Sequence, residues 1–172
     1  NATGSKNIGL YGTGGGGTRI SNSGSNAEIK LDLSAASGSE NIGASIIGSG
    51  SIFSNSGTIT LIDKNTTGRN VGIYSENGTV NHTGAVNLTT SGNDIGIYLK
   101  GTSGGTLGGS INLLSSGNAY DYGIYYDNGY TGNAGVSSTI SLEGKAAGVF
   151  SAVRGITFGG TVNMTSLSAD SI

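Results

Sequence analysis

Ten carboxylates are the chain's stock of acid–base groups: Glu28, Asp32, Glu40, Asp63, Glu76, Asp94, Asp121, Asp127, Glu143 and Asp170. Glycan hydrolysis needs two carboxyl groups side by side across a sugar bond, and most of these are scattered. One pair suggests itself. Asp94 and Asp121 each stand two residues before a glycine, in the related segments Asp94-Ile95-Gly96-Ile97-Tyr98 and Asp121-Tyr122-Gly123-Ile124-Tyr125. The equivalent position elsewhere holds Asn7, Asn41 and Asn70. A site shared by Asn and Asp favours a short side chain that hydrogen-bonds a turn backbone. The pair therefore reads as two rungs of a structural ladder, and like-charge repulsion between them should raise one pKa.

Other chemistries find less to work with. His82 is the single histidine, in Asn81-His82-Thr83 on what reads as a polar strand face, so it is expected to be exposed. With no cysteine, it cannot join a zinc site of the usual kind. Gly12-Thr13-Gly14-Gly15-Gly16-Gly17 satisfies the dinucleotide fingerprint formally, but that motif needs a helix whose N-terminus receives the pyrophosphate. Arg19-Ile20-Ser21-Asn22 reads as strand, which makes the glycine run a loop. No Ser lies in a nucleophile elbow with Asp and His partners. No catalytic, cofactor or metal residue is assigned. Sequons at Asn1, Asn65, Asn77, Asn81, Asn87 and Asn163 follow from an Asn/Thr-rich composition.

Tyrosine carries the clearer signal. Of eight tyrosines, Tyr120, Tyr122, Tyr125, Tyr126 and Tyr130 fall close together, next to Asp121, Asp127 and Asn128. Tyrosine offers flat apolar area with a hydrogen-bonding tip, which suits protein or sugar recognition. Tyr120, Tyr122, Tyr125, Tyr126, Asp127, Asn128 and Tyr130 form the candidate partner-binding patch, with ladder packing as the alternative reading. The segments Gly101 to Gly105 and Asp127 to Gly135 read as loops that frame it.

The elements that position these residues are repeats. A first strand recurs as Asn7-Ile8-Gly9-Leu10-Tyr11, Asn41-Ile42-Gly43-Ala44-Ser45, Asn70-Val71-Gly72-Ile73-Tyr74, the two Asp-led segments above, and Ala146-Ala147-Gly148-Val149-Phe150. The central glycines lie 24 to 34 residues apart. A later strand recurs as Ile29-Lys30-Leu31, Ile59-Thr60-Leu61, Val86-Asn87-Leu88, Ile111-Asn112-Leu113, Ile140-Ser141-Leu142 and Val162-Asn163-Met164, and a weaker middle one contains Ile20, Ile52, Val80, Leu107, Val136 and Ile156. Strand side chains alternate, which turns Ile8/Leu10, Val71/Ile73, Ile95/Ile97 and Val86/Leu88 inward and Tyr11, Tyr74, Tyr98, Tyr125 and Phe150 outward. No unit has enough apolar residues for its own core, so units must stack. The expectation is an all-β chain forming a single domain over 1–172: a parallel β-solenoid, a right-handed β-helix with three short strands per coil and about six coils.

Composition agrees. With 34 glycines, no Pro, Cys or Trp and a net charge of −2, the chain lacks the charge and proline of a disordered tract. It also lacks the basic patch of a nucleic-acid binder and any apolar run long enough to span a membrane. Asn1 follows no initiator methionine, and 169–172 reads as the start of a further coil, so the chain is expected to be a segment of a longer protein.

The Asn-x-Gly-Ile-Tyr strand followed by Gly78-Thr79-Val80-Asn81 and Gly84-Ala85-Val86-Asn87-Leu88, best seen from Asn70 to Ser116, resembles passenger domains of type V autotransporters, particularly the very large fusobacterial-type outer-membrane adhesins. The resemblance implies display at the bacterial outer membrane and attachment to a host-cell or bacterial surface protein or glycan. It transfers no site residue. The expected function is thus an extracellular, monomeric, non-enzymatic adhesin segment without cofactor. A polysaccharide-active β-helix enzyme and a purely structural spacer stand as alternatives.

Overall fold

The structure, a computed structural model, describes residues 6–34, 40–63, 68–115, 120–143, 145–151 and 161–164. These form strands and turns only, and the chain is a parallel β-solenoid. The first sheet stacks β1 (Lys6–Thr13), β4 (Glu40–Ile47), β7 (Arg69–Glu76), β10 (Asn93–Lys100), β13 (Tyr120–Tyr126) and β16 (Lys145–Ser151). The second stacks β2 (Arg19–Asn22), β5 (Ile52–Asn55), β8 (Thr79–His82), β11 (Gly104–Leu107) and β14 (Ala134–Val136). The third stacks β3 (Glu28–Asp32), β6 (Thr58–Ile62), β9 (Ala85–Thr90), β12 (Ser110–Ser115), β15 (Thr139–Leu142) and β17 (Thr161–Met164). The described residues thus make five complete three-strand coils, and a sixth contributes β16 and β17.

The third sheet follows simple alternation. Ile59/Leu61, Val86/Leu88, Ile111/Leu113 and Ile140/Leu142 all point into the solenoid and are fully buried. Phe53, Val80, Leu107 and Val136 meet them from the second sheet, and Ile73, Ile97, Leu99, Ile124 and Tyr126 from the first. The middle strand differs from expectation in its phase. Ile52 pairs with Arg19 and Thr79, while Phe53, level with Ile20 and Val80, takes the core position. Leu107 stands level with His82 rather than Val80. Ile156 lies outside the described residues.

The first sheet departs from alternation at its central glycine. A Cβ on Gly72 would lie 2.3 Å from Val86 Cγ1 and 2.6 Å from the Gly96 carbonyl oxygen, so this position points inward against the third sheet and leaves no space for a side chain. Gly43 is crowded in the same way by Ile59 and the Gly72 carbonyl. The next residue, Ile73, is inward as well, so the face changes once within the strand. Val71 and Ile95 were expected inside together with Ile73 and Ile97. They lie instead in a separate apolar cluster with Ile42, Ile8 and the rings of Tyr74, Tyr98, Tyr122 and Tyr125.

Two buried polar ladders run along the stack. In the first, Asn7 Nδ2 donates to Asn41 Oδ1 at 2.9 Å, Asn41 to Asn70 at 2.8 Å, and Asn70 to Asp94 Oδ1 at 3.0 Å. Asp121 Oδ1 then accepts from the Asp94 backbone N–H at 2.9 Å. In the second, Asn22 donates to Asn55 at 2.8 Å, and Asn55 Nδ2 lies 3.0 Å from His82 Nδ1. His82 was expected to be exposed; its side chain is 0% exposed, as the third rung of this ladder. The expectation failed because the short β8 places Val80 and His82, not Asn81, on the inward face.

Candidate functional site

The outward side of the first sheet assembles from its parallel register. One column runs Lys6, Glu40, Arg69, Asn93. The next runs Ile8, Ile42, Val71, Ile95, Tyr122. Beyond the bend at the glycine come Tyr11, Ser45, Tyr74, Tyr98, Tyr125 and Phe150, then Thr13, Ile47, Glu76 and Lys100. An in-register parallel stack places like residues directly over one another. The result is an apolar and aromatic stripe between two polar edges.

The rings stack face to face. Tyr74 and Tyr98 have centroids 5.3 Å apart, Tyr98 and Tyr125 5.0 Å, and Tyr125 and Phe150 5.0 Å. Tyr122 packs edge-on against Tyr125 at 5.1 Å, closing a roof over the Ile95 column. The phenols are anchored at the polar edge. Tyr74 donates to Glu76 Oε2 at 2.8 Å, and burial, reinforced by this carboxylate, pushes its pKa up. Burial and then the Asp127 carboxylate do the same for Tyr98. These hydroxyls remain neutral hydrogen-bond donors across the physiological range.

Charge lines both edges. Glu40 receives Lys6 at 3.3 Å and also Arg69, whose hydrogen bond is the main cause of its lowered pKa. Lys100 meets Glu76 at 3.1 Å, and the Arg69 guanidinium carbon sits 5.6 Å from the Tyr98 ring centroid. Such a guanidinium is placed to add a cation–π attraction.

The predicted tyrosine cluster divides between two sides of the wall. Tyr122 and Tyr125 belong to the outward stripe, half-buried by their neighbours. Asp127 lies at the end of the same strand, and Asn128 is exposed in the turn that follows. Tyr126 and Tyr130 are 0% and 7% exposed, packed edge to face at 4.9 Å inside the core, and are unavailable to a partner in this fold. Adjacent tyrosines in a strand face opposite ways, which the cluster's density in sequence conceals. The side chain of Tyr120 lies outside the described residues. The two framing segments stack: Thr131 N–H donates to the Gly101 carbonyl at 2.8 Å, and Gly105 N–H to that of Asn133 at 3.3 Å.

The acids of the first ladder form no open dyad. Asp94 and Asp121 are fully buried, and Asp94 also accepts from Thr90 at 2.6 Å. Its pKa rises to about 6, chiefly through burial, with Asp63 rather than Asp121 as the contributing charge. The glycine run leads directly into β2, so no helix N-terminus follows it. Among the described residues, no three His, Cys, Asp or Glu side chains are grouped to hold a metal ion. Sequence reasoning missed the outward Ile42, Val71 and Ile95, Arg69 beside the rings, and the interruption of the ring column at Ser45. The interruption at Ser45 stands in the repeat alignment itself, whereas the outward address of Ile42, Val71 and Ile95 turns on the change of face at the central glycine.

Fold and face together define a parallel β-solenoid with an ordered aromatic stripe on one wall. No family model, no curated protein and no solved structure matches the chain.

Proposed function

We propose that this chain is a non-enzymatic adhesive segment of a secreted bacterial surface protein of the autotransporter passenger type. In this reading the solenoid is a rigid stalk exposed outside the outer membrane, and the outward face of its first sheet contacts a host-cell or bacterial surface protein or glycan. One observation carries the reading: Tyr74, Tyr98, Tyr122, Tyr125 and Phe150 form a contiguous ordered patch on the outside, flanked by ion pairs. Recognition surfaces favour rigid aromatic area surrounded by polar groups. A stalk that served only as a spacer has no need of exposed aromatic area beyond what strand pairing requires.

The test is Tyr122→Ser with Tyr125→Ser. Both side chains face outward, so the circular-dichroism spectrum should keep its β signature while attachment of the protein to host or bacterial cells falls at least tenfold. Unchanged attachment by a folded double variant would sink the reading in favour of a spacer. Cleavage of pectin, alginate or a similar glycan by the purified chain would overturn its non-enzymatic part.

A further inference from the structure

Glycine follows asparagine at two places in the chain, Asn77-Gly78 and Asn128-Gly129. The pairing has a chemistry of its own, because a glycine without Cβ leaves its backbone nitrogen unshielded and free to approach the amide carbon of the asparagine before it. Both asparagines are exposed, and they differ in what holds the side chain. Asn77 is fastened to the next coil. Its Oδ1 accepts the Thr102 backbone N–H at 3.0 Å and the Thr102 hydroxyl at 3.2 Å, and its own N–H donates to the Lys100 carbonyl at 3.2 Å. The same oxygen is wedged against Gly101, where a Cβ would fall 2.2 Å from it. Gly78 is buried, and swinging the Asn77 amide carbon onto its nitrogen pulls Oδ1 off both donors.

Asn128 carries none of these restraints. With Gly129 it forms the tip of the turn after β13, closed by the Tyr130 N–H donating to the Asp127 carbonyl at 3.0 Å. Gly129 takes a φ of 83°, the left-handed conformation that glycine supplies at the third position of such a turn. A Cβ on it would meet nothing within 4 Å. Both residues are exposed, and among the described residues no hydrogen bond holds the Asn128 amide. We propose that Asn128 is a self-modification site, at which the Gly129 nitrogen attacks Asn128 Cγ. The N–Cγ bond forms as the Cγ–Nδ2 bond breaks, and ammonia leaves carrying the Gly129 amide proton. One solvent water then opens the five-membered imide at either of its carbonyls. Aspartate or isoaspartate remains at position 128, and each event adds one negative charge. That charge stands beside Asp127, whose carboxylate meets the Tyr98 hydroxyl at the edge of the aromatic stripe. The site does not depend on the adhesive reading, because the reaction needs only the chain and water.

The whole chain is incubated in mildly alkaline buffer, which favours attack by the amide nitrogen, and sampled over days by tryptic digestion and mass spectrometry. Cleavage after Arg69, Lys100 and Lys145 places the two Asn-Gly pairs in separate peptides. Conversion of amide to acid at Asn128 should run at least tenfold faster than at Asn77 in the folded chain. In urea, where the Thr102 bonds are gone, the two rates should converge. Asn128→Gln, which lengthens the side chain by one methylene and disfavours the five-membered ring, should abolish conversion in the peptide 101–145 and leave Asn77 unchanged. A folded-chain ratio below tenfold would overturn the proposal. So would an Asn128 rate in the folded chain more than tenfold below its rate in urea, or full conversion of the peptide 101–145 in Asn128→Gln.

Discussion

Replacing Asp94 by asparagine tests whether the buried ladder is built for amides. The first three rungs pass a hydrogen bond from each Nδ2 to the next Oδ1, and Asp94 receives the last of these. Asp94 has no Nδ2 with which to continue. Its Oδ1 also takes the Thr90 hydroxyl, while its buried Oδ2 has no hydrogen bond among the described residues. Burial lifts the carboxyl from 3.8 to about 6. At about 1.4 kcal/mol per tenfold change in proton affinity, the ionised form destabilises the fold by about 3 kcal/mol. A group whose folded pKa is raised gives its full stability below the unfolded value, pH 3.8 here, and loses it as pH rises through about 6. Asp94→Asn keeps the acceptor for Asn70 and Thr90 and adds a donor toward Asp121. It should therefore exceed the parent by up to about 3 kcal/mol at pH 7, with the advantage vanishing near pH 3.5. Urea unfolding of both proteins at the two pH values measures this directly. A variant no more stable at pH 7, or a difference independent of pH, would refute the assignment of the raised pKa to an ionised carboxylate in an amide's place.

His82 should show the opposite sign. Burial lowers its pKa from 6.5 to about 4, so the unfolded chain takes up the proton first and stability drops by about 3 kcal/mol as pH falls across that window. His82→Asn should remove this loss, and because the Asp94 and His82 contributions oppose each other, Asp94→Asn alone should make urea stability fall on acidification. Gly72→Ala forces a Cβ to 2.3 Å from Val86 Cγ1 and should cost about 3 kcal/mol or more in thermal or urea unfolding, where the exposed Gly15→Ala, with open space around it, should cost far less. Tyr126→Ser should destabilise by about 4 kcal/mol as a core deletion, whereas Tyr125→Ser, removing an outward stacked ring, should lose only about 1 kcal/mol. Equal losses from the two would contradict their placement on opposite faces.

Repeats made the architecture legible because a solenoid writes its core at a fixed place in every coil. Ile59/Leu61, Val86/Leu88, Ile111/Leu113 and Ile140/Leu142 obey simple alternation and were readable as one wall. The outward ring column and the Asn/Asp ladder were readable for the same reason, since each repeats in register. The inner or outer address of Val71 and Ile95 was not. It turns on a backbone bend at Gly72 and Gly96, where the first strand comes too close to the third sheet for any side chain, and composition does not record that approach. The burial of His82 was not legible because its hydrogen-bond partner, Asn55, lies 27 residues away, brought beside it only when the coils stack.

The distribution of tyrosine shows why a function cannot be read from density along such a chain. Tyr125 and Tyr126 are neighbours in sequence, yet one stacks on Tyr98 outside and the other packs on Tyr130 inside. Tyr74 and Tyr98 are 24 residues apart and touch. In a stacked solenoid the surface that a partner meets is a column, taken one residue per coil. Variation along a column then matters more than clustering along the chain. The stack of Tyr74, Tyr98 and Tyr125 reinforces the sheet along one column and, by the same ordering, offers the outer edges of its rings as one continuous surface.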